Sequence, residues 1–140
     1  DFFNTGGLTA RLGTWVKTNP SPMNGERLWL AGSEACVFAR KPNAVFNEHC
    51  KSAVWECASA RSKIHATQKP VALFERLVNA SSNPGQLILD PFAGSGTTAI
   101  AAENTDRRWL CIEKDETYYN AACNRILEHR AAKLGASEYV

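Results

Sequence analysis

Leu87-Ile88-Leu89-Asp90-Pro91-Phe92-Ala93-Gly94-Ser95-Gly96-Thr97-Thr98-Ala99 is the stretch on which the reading of this chain turns. An apolar run ends in an acid, a Gly-x-Gly turn follows, and helix-forming residues come next. That order predicts a strand, a tight loop and a helix. In open α/β sheets, nucleotide-like ligands bind at such a junction, against the backbone N–H groups of the helix start. Glycine lets the backbone approach a ligand with no Cβ between them.

The pattern continues on both sides. Thr97 to Glu103 reads as an alanine-rich helix, and Trp109 to Glu113 as a second strand. Asp115 caps a helix expected to run to about Lys133, with Gly135 as its stop. Within it Tyr119, Ala122, Cys123, Ile126 and Leu127 keep the spacing of one apolar face. Upstream, Pro70 to Ala80 forms a helix: proline suits its first position, and Phe74, Leu77 and Val78 share a face. From Pro70 onward the order is helix, strand, helix, strand, helix. This is a βαβ unit with a helix before it, hence a parallel pair in an α/β, doubly wound sheet.

The first part of the chain reads differently. Thr14 to Lys17 is a short strand, Thr18 to Gly25 a loop, and Glu34 to Arg40 a second strand antiparallel to the first. Residues 43 to 64 show no clear period and are expected to be surface loop, with Lys51, Arg61 and Lys63 among Phe46 and Trp55. Trp29 and Trp55 are expected in the core.

With 140 residues, 44% hydrophobic and 21% charged, the chain has the material for one globular domain. A net charge of +2 permits nucleic-acid binding without requiring it. There is no apolar stretch of membrane-spanning length and no signal-peptide pattern, so the cytoplasm is the expected location. The five cysteines, Cys36, Cys50, Cys57, Cys111 and Cys123, are odd in number and are expected as reduced, mostly buried thiols. His49, Cys50 and Cys57 lack metal-ligand spacing, and no metal is expected. The sequence starts at Asp1 rather than Met, which suggests a processed piece or a fragment.

Gly94-Ser95-Gly96-Thr97-Thr98-Ala99 fits the G-x-G-x-x-G/A fingerprint. Glu113 closes the next strand, where a carboxylate can accept hydrogen bonds from ribose hydroxyls. NAD and S-adenosylmethionine both carry such a ribose, and the fingerprint alone leaves them open. Two features weigh against NAD. Little chain follows Glu113 to build a second catalytic domain, and His65-Ala66-Thr67-Gln68-Lys69-Pro70 stands just upstream at a helix start.

Taken together, His-x-Thr-Gln-Lys-Pro, a helix, Asp-Pro-Phe-Ala-Gly-Ser-Gly-Thr-Thr, an arginine-rich turn and Ile112-Glu113-Lys114-Asp115 with Tyr118-Tyr119 resemble the C-terminal part of DNA amino-methyltransferases. The likeness runs without gaps from about Ser62 to Arg130. Trp15 to Pro22 and the strand opening at Glu34 resemble the segment that precedes it in the family. The order of motifs resembles the permuted beta group, in which the catalytic motif precedes the cofactor motif.

The resemblance implies transfer of a methyl group from S-adenosylmethionine to the exocyclic amine of adenine or cytosine in double-stranded DNA. It also leaves room for a restriction-endonuclease partner. Phe92, Ala93, Gly94 and Gly96 would bring the loop backbone to the cofactor, and Asp90 would order the loop or meet the cofactor's ammonium. Thr97 and Thr98 would face its carboxylate at the helix start, with Gln68, Lys69 and His65 on the same side. Glu113 would take the ribose, while Asp115 and Tyr118 are expected as cap and core.

The family grips the flipped base with Asp, Asn or Ser, then Pro-Pro, then an aromatic residue. Asn19-Pro20-Ser21-Pro22 is the nearest string and does not match, so no catalytic residue is assigned, and that segment is expected upstream of Asp1. The fold expected is therefore a Rossmann-like methyltransferase sheet that is incomplete, lacking central strands, with an antiparallel strand pair from the N-terminal part. Residues 1–140 would be the C-terminal portion of one methyltransferase domain: 1–42 the strand pair and loop, 43–64 the target-recognition loop with Lys51, Arg61 and Lys63 on DNA, and 65–134 the cofactor-binding region. The alternatives are a non-catalytic S-adenosylmethionine-binding subunit or remnant, and an NAD-dependent enzyme.

Overall fold

Two sheets, each in its own unit, carry the strands of the described residues. The computed structural model describes residues 7–22, 25–60 and 67–137. The chain divides after Ser59.

In the first unit, β1 (Thr9–Lys17) lies between β2 (Ser33–Arg40) and β3 (Val54–Cys57). β2 is antiparallel, with Trp15 opposite Glu34; β3 is parallel, with Trp15 opposite Trp55. Paired residues share a face, so both indoles fall on one side, where both are buried. The Trp55 ring lies against Gly13, and a Cβ at that position would fall inside the ring's van der Waals shell. Trp15 Nε1 donates to the Cys57 carbonyl at 2.8 Å, which satisfies its one donor. Asn19 prolongs the β1–β3 pairing with its side chain, accepting from the Ser59 N–H at 2.5 Å and donating to the Ser59 carbonyl at 3.3 Å.

Three expectations for this unit change. β1 is longer than the Thr14–Lys17 strand, because Thr9 to Gly13 find partners in β2 from Arg40 back to Cys36. The 43–64 region is not all loop: β3 lies within it, and its four residues are too few to show a period. Trp29 is wholly exposed, at 100%, in the turn between β1 and β2, so only Trp55 of that pair is in a core.

In the second unit, α1 (Val71–Ser81) precedes β4 (Leu87–Asp90), α2 (Thr97–Asn104), β5 (Arg108–Cys111) and α3 (Glu116–Ser137). β4 and β5 are parallel and in register, Leu89 opposite Leu110 and Asp90 opposite Cys111. This is the βαβ unit predicted from the sequence. α2 is its centre: Ala99, Ala101 and Ala102 are fully buried, and these small side chains let the neighbouring elements approach closely. Ala99 and Ile100 form a core with Ile126 of α3, and Val71, Trp109 and Cys111 pack against it. The opposite face of the pair, Leu87, Leu89, Leu110 and Ile112, is exposed.

Buried Arg107 locks the far end of this unit. Its Nη2 donates to the Ser82 carbonyl at 2.7 Å and its Nε to Ser82 Oγ at 3.2 Å, so the frayed end of α1 is satisfied by the turn after α2. Glu103 accepts from Trp109 Nε1 at 2.9 Å and pairs with Arg130.

Several local expectations shift here too. Pro70 is the cap rather than the first residue of α1, with φ −65° and ψ 136°. β5 stops at Cys111, so Glu113 lies beyond the strand, although the Ile112 N–H still reaches the Asp90 carbonyl at 2.8 Å. α3 runs through Gly135 to Ser137. Its buried stripe is narrower than five residues: Ala122 and Ile126 are buried, whereas Tyr119 and Leu127 are exposed. The cysteines are all free, as expected, but none is fully buried, and Cys50 is exposed.

Candidate functional site

The site grows from the turn that ends β4. Asp90 is its keystone: Oδ1 accepts from the Phe92 N–H at 3.0 Å, and Oδ2 accepts a short hydrogen bond from the Thr98 hydroxyl. One carboxylate thus ties the strand end to both the loop and the first turn of α2. Gly94 and Gly96 both lie in the left-handed region, at φ 53° and 74°, which ordinary side chains resist. The Gly96 N–H closes the turn on the Ala93 carbonyl at 2.9 Å.

The loop after β5 clasps the loop after β4. Glu113 Oε2 accepts from the Gly94 N–H at 2.7 Å and Oε1 from the Asp115 N–H at 2.9 Å. These backbone donors, Asp115 first and Gly94 next, hold the Glu113 carboxyl below its ordinary value of 4.5. Asp115 Oδ1 accepts from the Tyr118 N–H at 2.9 Å, capping α3 as the sequence predicted.

Between these loops and α1 lies a cleft of about 960 Å³. This is the size of a site for a large cofactor. Its floor is apolar: Phe74, Leu77 and Val78 of α1, with Ile88 and Leu89 of β4. Its rim is polar and of mixed charge, with Lys69 and Lys114 against Asp90, Glu113 and Asp115. Thr97 and Thr98, both buried and with their hydroxyls donated to the Lys69 carbonyl and to Asp90, line the cleft at the start of α2, where the helix has N–H groups without intrahelical partners.

Of the residues singled out in the sequence, Gln68, Lys69, Asp90, Phe92, Ala93, Gly94, Thr97, Thr98 and Glu113 line this one cleft. Gly96 does not. A Cβ there would meet Ala122 and Ile126 at 3.3 Å, so its place is the close packing of α2 on α3. His65, Arg61 and Lys63 lie outside the described residues. Lys51 is exposed in the first unit, between β2 and β3. Tyr118, expected in the core, lines the cleft instead. Among the described residues no cluster of three or more His, Cys, Asp or Glu could hold a metal, and no helix is long and apolar enough to cross a membrane.

The Phe74 and Leu77 contribution was visible only as an apolar helix face, since periodicity says that a face is covered and not by what. Tyr118 carried a signal too: three residues after the capping Asp115, it falls in the first turn of α3 beside the clasp.

The family model for the N6/N4 DNA methylases matches residues 16–124. The chain belongs to the N6/N4 DNA methylase family. Among curated relatives of this DNA methylase chain, the Type II methyltransferase M2.DpnII of Streptococcus pneumoniae is 33% identical, over 81% of this chain and 49% of the relative. The Type II methyltransferase M2.MboI of Moraxella bovis is also 33% identical, over 82% of this chain and 48% of the relative. The chain spans about half the length of the curated relatives it matches. Among solved structures, the M1.HpyAVI–SAM complex superposes with a TM-score of 0.74 at 33% identity, covering 90% of this chain and 66% of the other. A Thermus thermophilus protein described as a putative DNA modification methylase, complexed with S-adenosyl-L-methionine, gives 0.67 at 26% identity, covering 90% of this chain and 56% of the other. The α/β, Rossmann-like methyltransferase fold expected from the motifs is thus the fold found, with its described strands in two separate sheets.

Proposed function

We propose that the cleft at the β4–α2 junction binds S-adenosylmethionine, and that this DNA methylase chain serves methyl transfer to the exocyclic amine of adenine or cytosine in double-stranded DNA. The observation that carries the reading is the clasp of Gly94 by Glu113 over an apolar floor, next to the hydroxyl-bearing start of α2. The cofactor is itself amphipathic, with an aromatic base, a ribose and a charged amino-acid end. The cleft offers a matching surface for each.

The residues present fit that group. The amino-acid end would meet the backbone N–H groups at the start of α2, at Thr97 and Thr98, with Lys69 on the same rim. Each Glu113 oxygen accepts one backbone N–H and keeps a second lone pair for a ribose hydroxyl. Phe92 and Tyr118 supply aromatic surface for the base. When bound, the cofactor supplies a methyl on a sulfonium centre, open to direct displacement by an amine. The chain's own work is to orient it and shield it from water on the α1 side.

Residues 1–140 contain no Pro-Pro-aromatic string, so in this reading the grip on the target base is left to residues other than these. We assign 65–134 to cofactor binding and 43–64 to target recognition, with Lys51, Arg61 and Lys63 against phosphate. The names of the Type II relatives support a restriction-modification setting, and cytoplasmic DNA is the substrate expected in that setting.

The deciding experiment is calorimetric titration with S-adenosylmethionine and, separately, with NADH. Binding of the first alone, lost in Asp90→Ala and Glu113→Ala, is the expected result. Binding of NADH, or binding indifferent to both variants, would overturn the reading.

A further inference from the structure

Arg125 reaches from α3 to the back of the glycine loop. Its Nη1 donates to the Ser95 carbonyl at 2.8 Å, Ser95 Oγ at 3.2 Å and Thr97 Oγ1 at 3.0 Å. Thr97 Oγ1 in turn donates to the Lys69 carbonyl at 3.1 Å. Ser95 and Thr97 are buried, and Arg125 is half-buried. The guanidinium does not line the cleft; it stands behind one of its walls.

The location is an unusual one for a cation. Among the described residues no carboxylate pairs with it, and it sits beside the positive end of α2. Its partners are a carbonyl and two hydroxyls, all from the loop and the first residue of the helix. A guanidinium only donates, so it fills an acceptor site on Thr97 and leaves that hydroxyl's single hydrogen to be aimed elsewhere. Two acceptors are near: Ser95 Oγ at 3.4 Å and the Lys69 carbonyl at 3.1 Å. The Lys69 carbonyl is the nearer of the two and can only accept, so the geometry favours Lys69.

We propose that Arg125 is a positioning residue for the cofactor cleft: it holds Ser95 and Thr97 from behind and, through Thr97, holds Lys69, so that two walls from different segments stay in register. The consequence for affinity rests on the S-adenosylmethionine reading; the mechanical link does not.

The test uses the full chain with Arg125→Met, which keeps length and removes every donor, and Arg125→Lys, which keeps a charged donor without the fork. Amide hydrogen exchange is followed at residues 67–69 and 93–97 without cofactor, and S-adenosylmethionine is then titrated by calorimetry. Arg125→Met is expected to speed exchange in both segments and to weaken binding by about tenfold, with Arg125→Lys recovering part of both. Exchange at residues 67–69 that ignores Arg125→Met overturns the proposal. Should that variant fail to fold, Thr97→Val removes the Thr97 bonds to Lys69, Arg125 and Ser95 Oγ and leaves Arg125 on the Ser95 carbonyl and hydroxyl. Exchange must then rise at 67–69 while 93–95 holds, and the opposite result overturns the proposal equally. If exchange responds as stated but the unaltered chain takes up no S-adenosylmethionine, the cofactor reading fails and the positioning role stands.

Discussion

The Glu113 carboxylate accepts the Gly94 N–H at 2.7 Å, so the loop that ends one strand of the parallel pair is held by the segment that leaves the other. Its second oxygen is engaged by the Asp115 N–H. Glutamine at this position offers only one oxygen, so one of the two backbone donors must lose its partner. Glu113→Gln is expected to weaken S-adenosylmethionine binding by roughly an order of magnitude, and Glu113→Ala by more. Calorimetry on the two variants checks the order, and an unchanged affinity in both would show that the clasp is not needed.

The same carboxyl predicts an acid limit. Its folded value lies below the ordinary 4.5, so the folded state holds the ionised form more tightly than the unfolded chain does. The contribution is complete above the ordinary value and is lost as pH falls through the lowered one. The Gly94 amide resonance should therefore stay constant from about pH 6 to the ordinary carboxylate range and move only below it. In Glu113→Gln that acid step should be missing.

Gly96 tests the backbone of the turn. Alanine there must adopt a positive φ and bring its Cβ to 3.3 Å from both Ala122 and Ile126. The left-handed conformation alone costs about 1–2 kcal/mol, and the crowding adds to it. Thermal unfolding of Gly96→Ala should show a clear fall in midpoint, while Ala93→Gly, which adds no bulk, should not reproduce the crowding part.

Thiol chemistry gives an independent readout of the core. Burial first, and the Asp90 charge next, push the Cys111 thiol up to about 11 from its ordinary 9.0, whereas Cys50 is exposed. Iodoacetamide at neutral pH should modify Cys50 first and Cys111 last, followed by peptide mass analysis. The raised value also means that Cys111 favours the folded state less as pH rises from the unfolded value of 9.0 towards about 11.

In the first unit, Gly13→Ala should be among the most damaging small substitutions. The added methyl cannot coexist with the Trp55 ring, which is locked by the β1–β3 pairing. A loss of about 1–3 kcal/mol is expected from overpacking, read from the tryptophan fluorescence transition. Gly13→Ala with Trp55→Leu should recover part of it.

Much of the second unit was legible because its signals are local. The apolar run to Asp90, the glycine turn and the alanine helix each state their own conformation, and the βαβ order follows from them. The residues that line the cleft were legible for the same reason: most of those singled out sit in or beside the loop that the fingerprint marks. What escaped depends on pairing at a distance. β3 is four residues long and exists because β1 lies beside it, which no window of sequence reveals. Trp29 was misplaced because composition says tryptophan is buried on average and cannot say which one. Gly96 matched a ligand-binding pattern, yet its neighbours are two side chains of α3, a long-range fact. Arg125 had no sequence signal at all, since it is one of several cations on a helix and only its reach distinguishes it.

The three ties that shape the cleft span 19 residues from Gly94 to Glu113, 28 from Lys69 to Thr97 and 30 from Ser95 to Arg125. On a ribosome, the glycine loop leaves the tunnel before its holders on the C-terminal side have emerged from it. It must wait through Glu113 and then Arg125 before it can take its final shape, at about 5–20 residues per second. A cofactor in the surrounding solution can therefore do nothing for the early stages of this fold. It can only reward a chain that has already been made through the middle of α3.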